Sequence, residues 1–297
     1  MTSSAISGRA TEYLIDAATA QRDAAHLVFL EVAPWRVMAD GPDPVLGSIP
    51  GAVATTVKDD FAGSPTATSG HLPLPHAGDL HAVLRAYGVQ ATDDIVVYTR
   101  RTEELSSATR AWFTLTWAGY RSVRVLDGGL PAWVGTGGRT APLEPPRTRP
   151  PAPAPLAAGA VRVLDVEQVL EISQYGTLLD ARSAAAYNGS LDEPRSGHVP
   201  HAVHAPSTDL VGPDGRLVPA TELRKWFLRR RAVGGQEVGA YCGGGVSSSL
   251  LVFGAALIGQ PIGLYVDSWS AWSADSTLPI EQGTTLSPSP LLDTDCT

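Results

Sequence analysis

The strongest constraint on this chain is an internal echo: its two halves carry the same order of short apolar strands and helical patterns. In the first half LVFLEV (27–32) precedes LGSIPGAV (46–53); in the second GTLLDAR (176–182) precedes SGHVPHAV (196–203). DDIVVYT (93–99) then answers QEVGAYC (236–242), each a short run ending in Tyr plus one further residue. Apolar helical patterns follow both, SSATRAWFTLTWAG (106–119) and SSSLLVFGAALIG (247–259), and the halves close with VRVLDGGLPAW (123–133) and IGLYVDSWSAW (262–272). Strands alternating with helices of this length predict parallel sheets, and strands with little polar alternation predict sheets covered on both faces. Between the halves APLEPPRTRPPAPAPLAA (141–158) is dense in proline and suits a semi-rigid spacer. The expected organisation is one domain over 1–140, a linker over 141–158, a second domain over 159–280 and a flexible tail over 281–297. The fold class is α/β: two similar domains, each a mainly parallel sheet flanked by helices, packed face to face with a site between them.

Charge and cysteine usage narrow the function. A net charge of −8 argues against a nucleic-acid groove or an anionic membrane surface as the main partner. No apolar run is long enough to span a bilayer, and MTSSAISGRATEYLIDAATAQR lacks the basic start and apolar core of a secretory signal. Cys242 and Cys296 make no disulfide framework, so a cytoplasmic protein with a free thiol at position 242 is expected.

That thiol sits where it can react. YCGGGVSS places Cys242 at the carboxyl end of a parallel strand, the rim at which open α/β sheets bind ligands. Gly243, Gly244, Gly245, Val246, Ser247 and Ser248 form a bend whose amides can turn inward, and the following helix adds unpaired N–H donors and a partial positive charge. One of Ser247, Ser248 or Ser249 is expected to cap that helix. Such a cradle should ease loss of the thiol proton and yield a nucleophile. The competing reading, an inert core cysteine, suits a run of three glycines poorly. In the first half Thr99 takes the cysteine's place, and the bend after it is longer and charged (RRTEEL). Whatever Cys242 does, one half does alone.

Three chemistries use such a cradle. A phosphatase needs an arginine six residues after the cysteine, where Ser248 stands. A cysteine hydrolase needs a histidine base, and none lies near Cys242 in sequence. Sulfur transfer needs only the nucleophile, the cradle and a polar mouth, and requires no metal or organic cofactor. His198, His201 and His204 form an H-x-x-H-x-x-H run, but on a turn entering a strand that spacing does not converge on one ion. The tryptophans suit packing better than recognition.

Taken together, these motifs resemble the two-domain sulfurtransferases of the rhodanese family. LDGGLPAW (126–133) is similar to the family's first-domain ending, SGHVPHAV to its Gly-His-Ile-Pro-Gly-Ala motif and YVDSWSAW (265–272) to its second-domain signature. YCGGGVSS lies closer to the 3-mercaptopyruvate type of active-site loop than to the thiosulfate type. The resemblance implies transfer of a sulfane sulfur from a small anionic donor, through a Cys242 persulfide, to a thiol, cyanide or a protein acceptor. It also implies site residues: Arg195 resembles a substrate-binding arginine, and His71 and Asp60 resemble first-domain residues that partner a loop serine. The chain departs from the family at Ala186, where a substrate arginine is usual, at Gly244, where a Ser or Lys is usual, and at His201 and Asp267, each in place of a glycine. These departures leave two other readings: a different cysteine-dependent group transfer on this scaffold, or a non-catalytic binding module.

Overall fold

A computed structural model describes residues 12–34, 47–143 and 161–283. The first sheet contains β1 (Leu14–Ile15), β2 (Leu27–Ala33), β3 (Val53–Thr56), β4 (Asp94–Tyr98) and β5 (Val123–Leu126), in the order β1-β5-β4-β2-β3. The second contains β6 (Arg162–Val163), β7 (Thr177–Asp180), β8 (Val203–His204), β9 (Val238–Tyr241) and β10 (Gly263–Leu264), in the order β6-β10-β9-β7-β8. The two orders are the same, and every pairing within them is parallel. Two α/β domains of one kind are therefore observed.

Helices cover both faces of each sheet. In the first domain they are α1 (Ala17–Arg22), α2 (Ala77–Ala86), α3 (Leu105–Trp117) and α4 (Gly129–Gly135). In the second they are α5 (Val166–Tyr175), α6 (Ala184–Asn188), α7 (Ala220–Arg229), α8 (Ser247–Leu257) and α9 (Ser268–Trp272). The strand-final tyrosines explain one part of the echo. Tyr98 accepts a hydrogen bond from the Ile49 amide at 3.3 Å, and Tyr241 accepts one from the Val199 amide at 3.0 Å. Each hydroxyl thus satisfies a buried donor in the Pro-containing turn that follows β2 or β7.

The domains meet through α3 and α8. Counted back from the glycines that follow them, Thr109 and Ser249 hold matching positions, and their hydroxyl oxygens lie 2.9 Å apart. Trp112 meets Phe253 edge to face at a centroid separation of 4.9 Å. Residues at matching places touching one another is the mark of an approximate two-fold axis. One apolar cluster accordingly runs through both halves, from Leu30 and Val97 to Leu179 and Cys242. Sandwiched between its own sheet and the other domain, α8 is apolar on nearly every side.

The proline-dense segment expected as linker lies, from residue 144 to its end, outside the described residues, as do Cys296 and everything after 283. The tail expected from 281 onward begins on the second domain: Glu281 exchanges backbone hydrogen bonds with His198, and the Gly283 amide donates to Asn188. Among the described residues no helix is long and apolar enough to cross a membrane.

Candidate active site

Cys242 follows directly on β9, and its backbone is held at both ends. Its amide donates to Ser268 Oγ at 3.2 Å, and its carbonyl accepts from the Trp269 amide at 2.9 Å. The Gly243 carbonyl likewise accepts from the Ser270 amide at 3.0 Å. Ser248 Oγ donates to Cys242 Sγ at 3.3 Å, the expected reach of an O–H···S contact. Among the described residues, the amides of Gly243, Gly244, Gly245, Val246, Ser247 and Ser248 find no oxygen acceptor within the protein. This run of donors without an internal acceptor ends at a helix start, an arrangement that favours an anion.

The three glycines divide the work. Cys242 itself is 2% exposed, but Gly243 is exposed and Gly244 and Ser247 are half-buried, so approach is over the bend. Nothing lies within 4 Å of where a Cβ on Gly243 would stand, and beside Gly244 the nearest atom is His71 Cβ at 3.9 Å. Gly245 is different: its φ is +76°, and a Cβ there would stand 2.5 Å from the Val266 carbonyl oxygen. The first two keep the mouth clear, and the third makes the left-handed turn into α8.

Ser268 carries backbone strain. It is fully buried at φ +57°, a region that costs a side-chain-bearing residue about 1–2 kcal/mol. Its hydroxyl accepts from Cys242 and donates to the Tyr265 carbonyl at 2.8 Å. Behind it, Arg182 binds both carboxylate oxygens of Asp180 and the Gly197 carbonyl, and stacks 4.4 Å from the Trp269 ring centre. That stack fixes the residue whose amide holds the Cys242 carbonyl.

The first domain closes the other side. Gly70 donates its amide to Asp267 Oδ1 at 2.9 Å, and His71 donates its amide to Ser270 Oγ at 3.0 Å. Among the described residues the His71 ring has no hydrogen-bond partner, and it stands exposed beside Gly244. Asp60 is engaged within its own domain: it accepts from the Thr56 amide at 2.7 Å and from the Tyr87 hydroxyl at 3.0 Å, and burial raises its pKa. The structure therefore brings His71 to the mouth without joining it to Asp60.

Two further expectations turn out differently. Arg195 does not reach the mouth. Its guanidinium donates to the carbonyls of Trp272, Ser273, Asp275 and Leu278, at and beyond the far end of α9. Carbonyls left unpaired at a helix end attract a cation there. The serines do not cap α8 either, since Val246 holds the N-cap position and no side chain bonds there. Ser248 is taken by the sulfur, and Ser249 by the Val246 carbonyl and Thr109. Ala186 is exposed on α6, with its amide on Ser183 Oγ. The His198 and His204 rings are taken by the Tyr187 and Arg182 carbonyls.

Sequence reasoning missed Arg110, Ser268 and Ser270. Arg110 is fully buried on α3, and its Nη1 donates to the Gly245 carbonyl of the other domain at 3.2 Å. The one signal was a charge inside the apolar pattern ATRAWF.

Comparison with known proteins agrees with this architecture. The chain matches the Rhodanese-like domain over residues 10–136 and 165–275, one match per half. It is 35% identical over 266 residues to the "Putative thiosulfate sulfurtransferase SseB" of Mycobacterium tuberculosis, covering 84% of this chain and 89% of that protein. It is 34% identical over 249 residues to the 3-mercaptopyruvate sulfurtransferase of Escherichia coli, covering 79% and 83%. Among solved structures, SseA from Escherichia coli superposes with a TM-score of 0.69 at 26% identity, covering 87% of this chain and 99% of that one. Wild-type EanB superposes with a TM-score of 0.78 over 93% of this chain and 70% of its own; at 21% identity it shares the fold alone. The matched halves, the repeated sheet order and the cradle on one cysteine agree: this chain belongs to the rhodanese family of sulfurtransferases.

Proposed function

We propose that Cys242 takes a sulfane sulfur from a small anionic donor of the 3-mercaptopyruvate or thiosulfate type, holds it as a persulfide and passes it to a thiophilic acceptor. With thiosulfate, the thiolate attacks the outer sulfur, the S–S bond breaks and sulfite leaves with the electron pair. With 3-mercaptopyruvate, attack on the thiol sulfur breaks its bond to carbon, and the enolate that leaves takes up the thiol proton to become pyruvate. Either way the product is Cys242–S–S⁻. A thiol or cyanide then attacks the outer sulfur and returns the thiolate.

The observation that carries this reading is the run of six amides without an oxygen acceptor around a sulfur that already accepts the Ser248 hydroxyl. The run suits a sulfur anion at 242 and the anionic end of a donor above it. Because Arg195 is committed to carbonyls and Ala186 carries no charge, the donor's anion is recognised here by main-chain donors, with His71 at the rim. A free thiol of this kind suits a reducing, cytoplasmic setting.

Intact mass after incubation with each donor is the test. The native protein should gain one sulfur atom and lose it to cyanide, and Cys242→Ser should gain none. A native protein that takes sulfur from neither donor would leave a different group transfer or a binding role as the better account.

A further inference from the structure

Arg110 is an unusual charged residue. It is fully buried and belongs to the domain that lacks the cysteine. Its guanidinium donates to the Phe61, Leu72 and Pro73 carbonyls of its own domain and to the Gly245 carbonyl across the interface, at 2.9–3.4 Å. Among the described residues it makes no ion pair with any carboxylate. A buried cation answered only by neutral carbonyls is costly, and such a group is normally replaced or paired. Burial pulls its pKa down to about 10, while the charges of Cys242 and Asp267 push it back up. It stays protonated at neutral pH, and Asp267 is already engaged by the Gly70 amide.

The fit is close. A Cβ on Gly245 would stand 2.8 Å from Arg110 Nη1, so the guanidinium seats the bend directly. At the matching place on α8 stands Leu250, beside the cysteine-free bend at Thr102 and Glu103. The charge is thus present where a helix of one domain meets the glycine bend of the other, and absent at the matching place. We infer that Arg110 is a positioning residue for the Cys242 bend and supplies, across the domain interface, the permanent positive charge against which the sulfur anion is held. This rests on Cys242 carrying the transferred sulfur. The cost of burying Arg110 unpaired is offset when position 242 is anionic, as thiolate or as persulfide, so each domain is incomplete without the other.

The test follows alkylation of Cys242 by iodoacetamide against pH, read as the mass of its own peptide so that Cys296 does not contribute. The other charged groups around the bend are His71, Asp267 and the Asp180–Arg182 pair behind Trp269. The series is therefore made on a His71→Asn background, which removes the neighbouring imidazole. In Arg110→Met the midpoint should move alkaline by about one pH unit, as expected for loss of a nearby opposite charge, with the rate at pH 7 falling about tenfold. Arg110→Lys keeps the charge but not the fork, and should restore the midpoint while leaving thermal stability reduced. Thr109→Val, which removes the hydroxyl contact to Ser249 in the same interface, should lower stability without moving the midpoint. If Arg110→Met fails to fold, Arg110→Gln, which retains donors for the carbonyls, takes its place. An unmoved midpoint in the neutral variant reduces Arg110 to a structural staple and overturns the inference. Alkylation needs no sulfur donor. A native protein that shows the Arg110-dependent midpoint but gains no sulfur would count against the proposed reaction and not against this role.

Discussion

In the first domain the residue after Thr99 is Arg100, whose guanidinium reaches back to Glu31 on β2, the Gly47 carbonyl and Ser48. In the second domain the residue after Cys242 is Gly243, and Asp180, the counterpart of Glu31 in register with the strand-final tyrosine, is neutralised by Arg182 from its own strand's connection. Both sheets bury one carboxylate beside a tyrosine, and both must supply a cation to it. The first domain draws that cation from the bend, which ties the bend down and fills it. The second draws it from elsewhere, which leaves its bend free of side chains. Asp127 and Asp267 differ less. The first accepts the Leu217 amide and the second the Gly70 amide, so each domain hooks the other's backbone in the same way. The residue after each completes the contrast: Gly128 takes positive φ without cost, whereas Ser268 takes it with strain and gives its hydroxyl to Cys242.

Making the second domain resemble the first should disable it. Gly243→Arg has the largest expected effect: with open space around the position, stability should change by no more than about 0.5 kcal/mol. Sulfur uptake should nonetheless fall at least about 100-fold as the mouth fills, measured by intact mass against thermal denaturation of the same sample. Full activity in that variant would show that the open bend is not the entrance. Ser268→Gly is subtler. Relief of about 1–2 kcal/mol of strain should roughly offset two lost hydrogen bonds of about 1 kcal/mol each, so the melting temperature should barely move. Uptake should drop several-fold, about 3–10, because the Cys242 amide loses its anchor. A large fall in stability would mean the hydroxyl serves the fold rather than the sulfur.

The smallest effect concerns the interface. Burial raises the Asp127 pKa, partly opposed by the Leu217 amide and Arg216. An acid whose folded value lies above its unfolded one favours folding in its protonated form, so stability is lost as pH rises through and above the usual carboxylate value of about 4. Asp127→Asn keeps an acceptor for Leu217 and removes that titration. Denaturant melts should show a flatter profile between about pH 4 and 6, with differences of a few tenths of a kcal/mol to about 1. An unchanged profile would remove Asp127 from the pH response.

Much of this was legible before any coordinates. The strands at 27–32, 93–99, 176–182 and 236–242 all form, because a short buried β-branched run between turn residues has few other options. The cysteine on a glycine bend announced its own chemistry, since bend and helix start are neighbours in the chain. Arg195 was misplaced because sequence proximity to a motif does not say which way a long side chain turns, and four carbonyls at and beyond the end of α9 claimed it. By resemblance Asp60 partners a loop serine, but the Thr56 amide and the Tyr87 hydroxyl are closer at hand.

The sequence alone determined that the chain folds as two like domains and that one of them carries the thiol, because periodicity and turn chemistry act between near neighbours. Tertiary structure alone decided that Arg110 faces Gly245 and that His71 stands beside Gly244. Those contacts arise only when α3 packs on α8 and brings a buried charge from one domain to the glycine bend of the other.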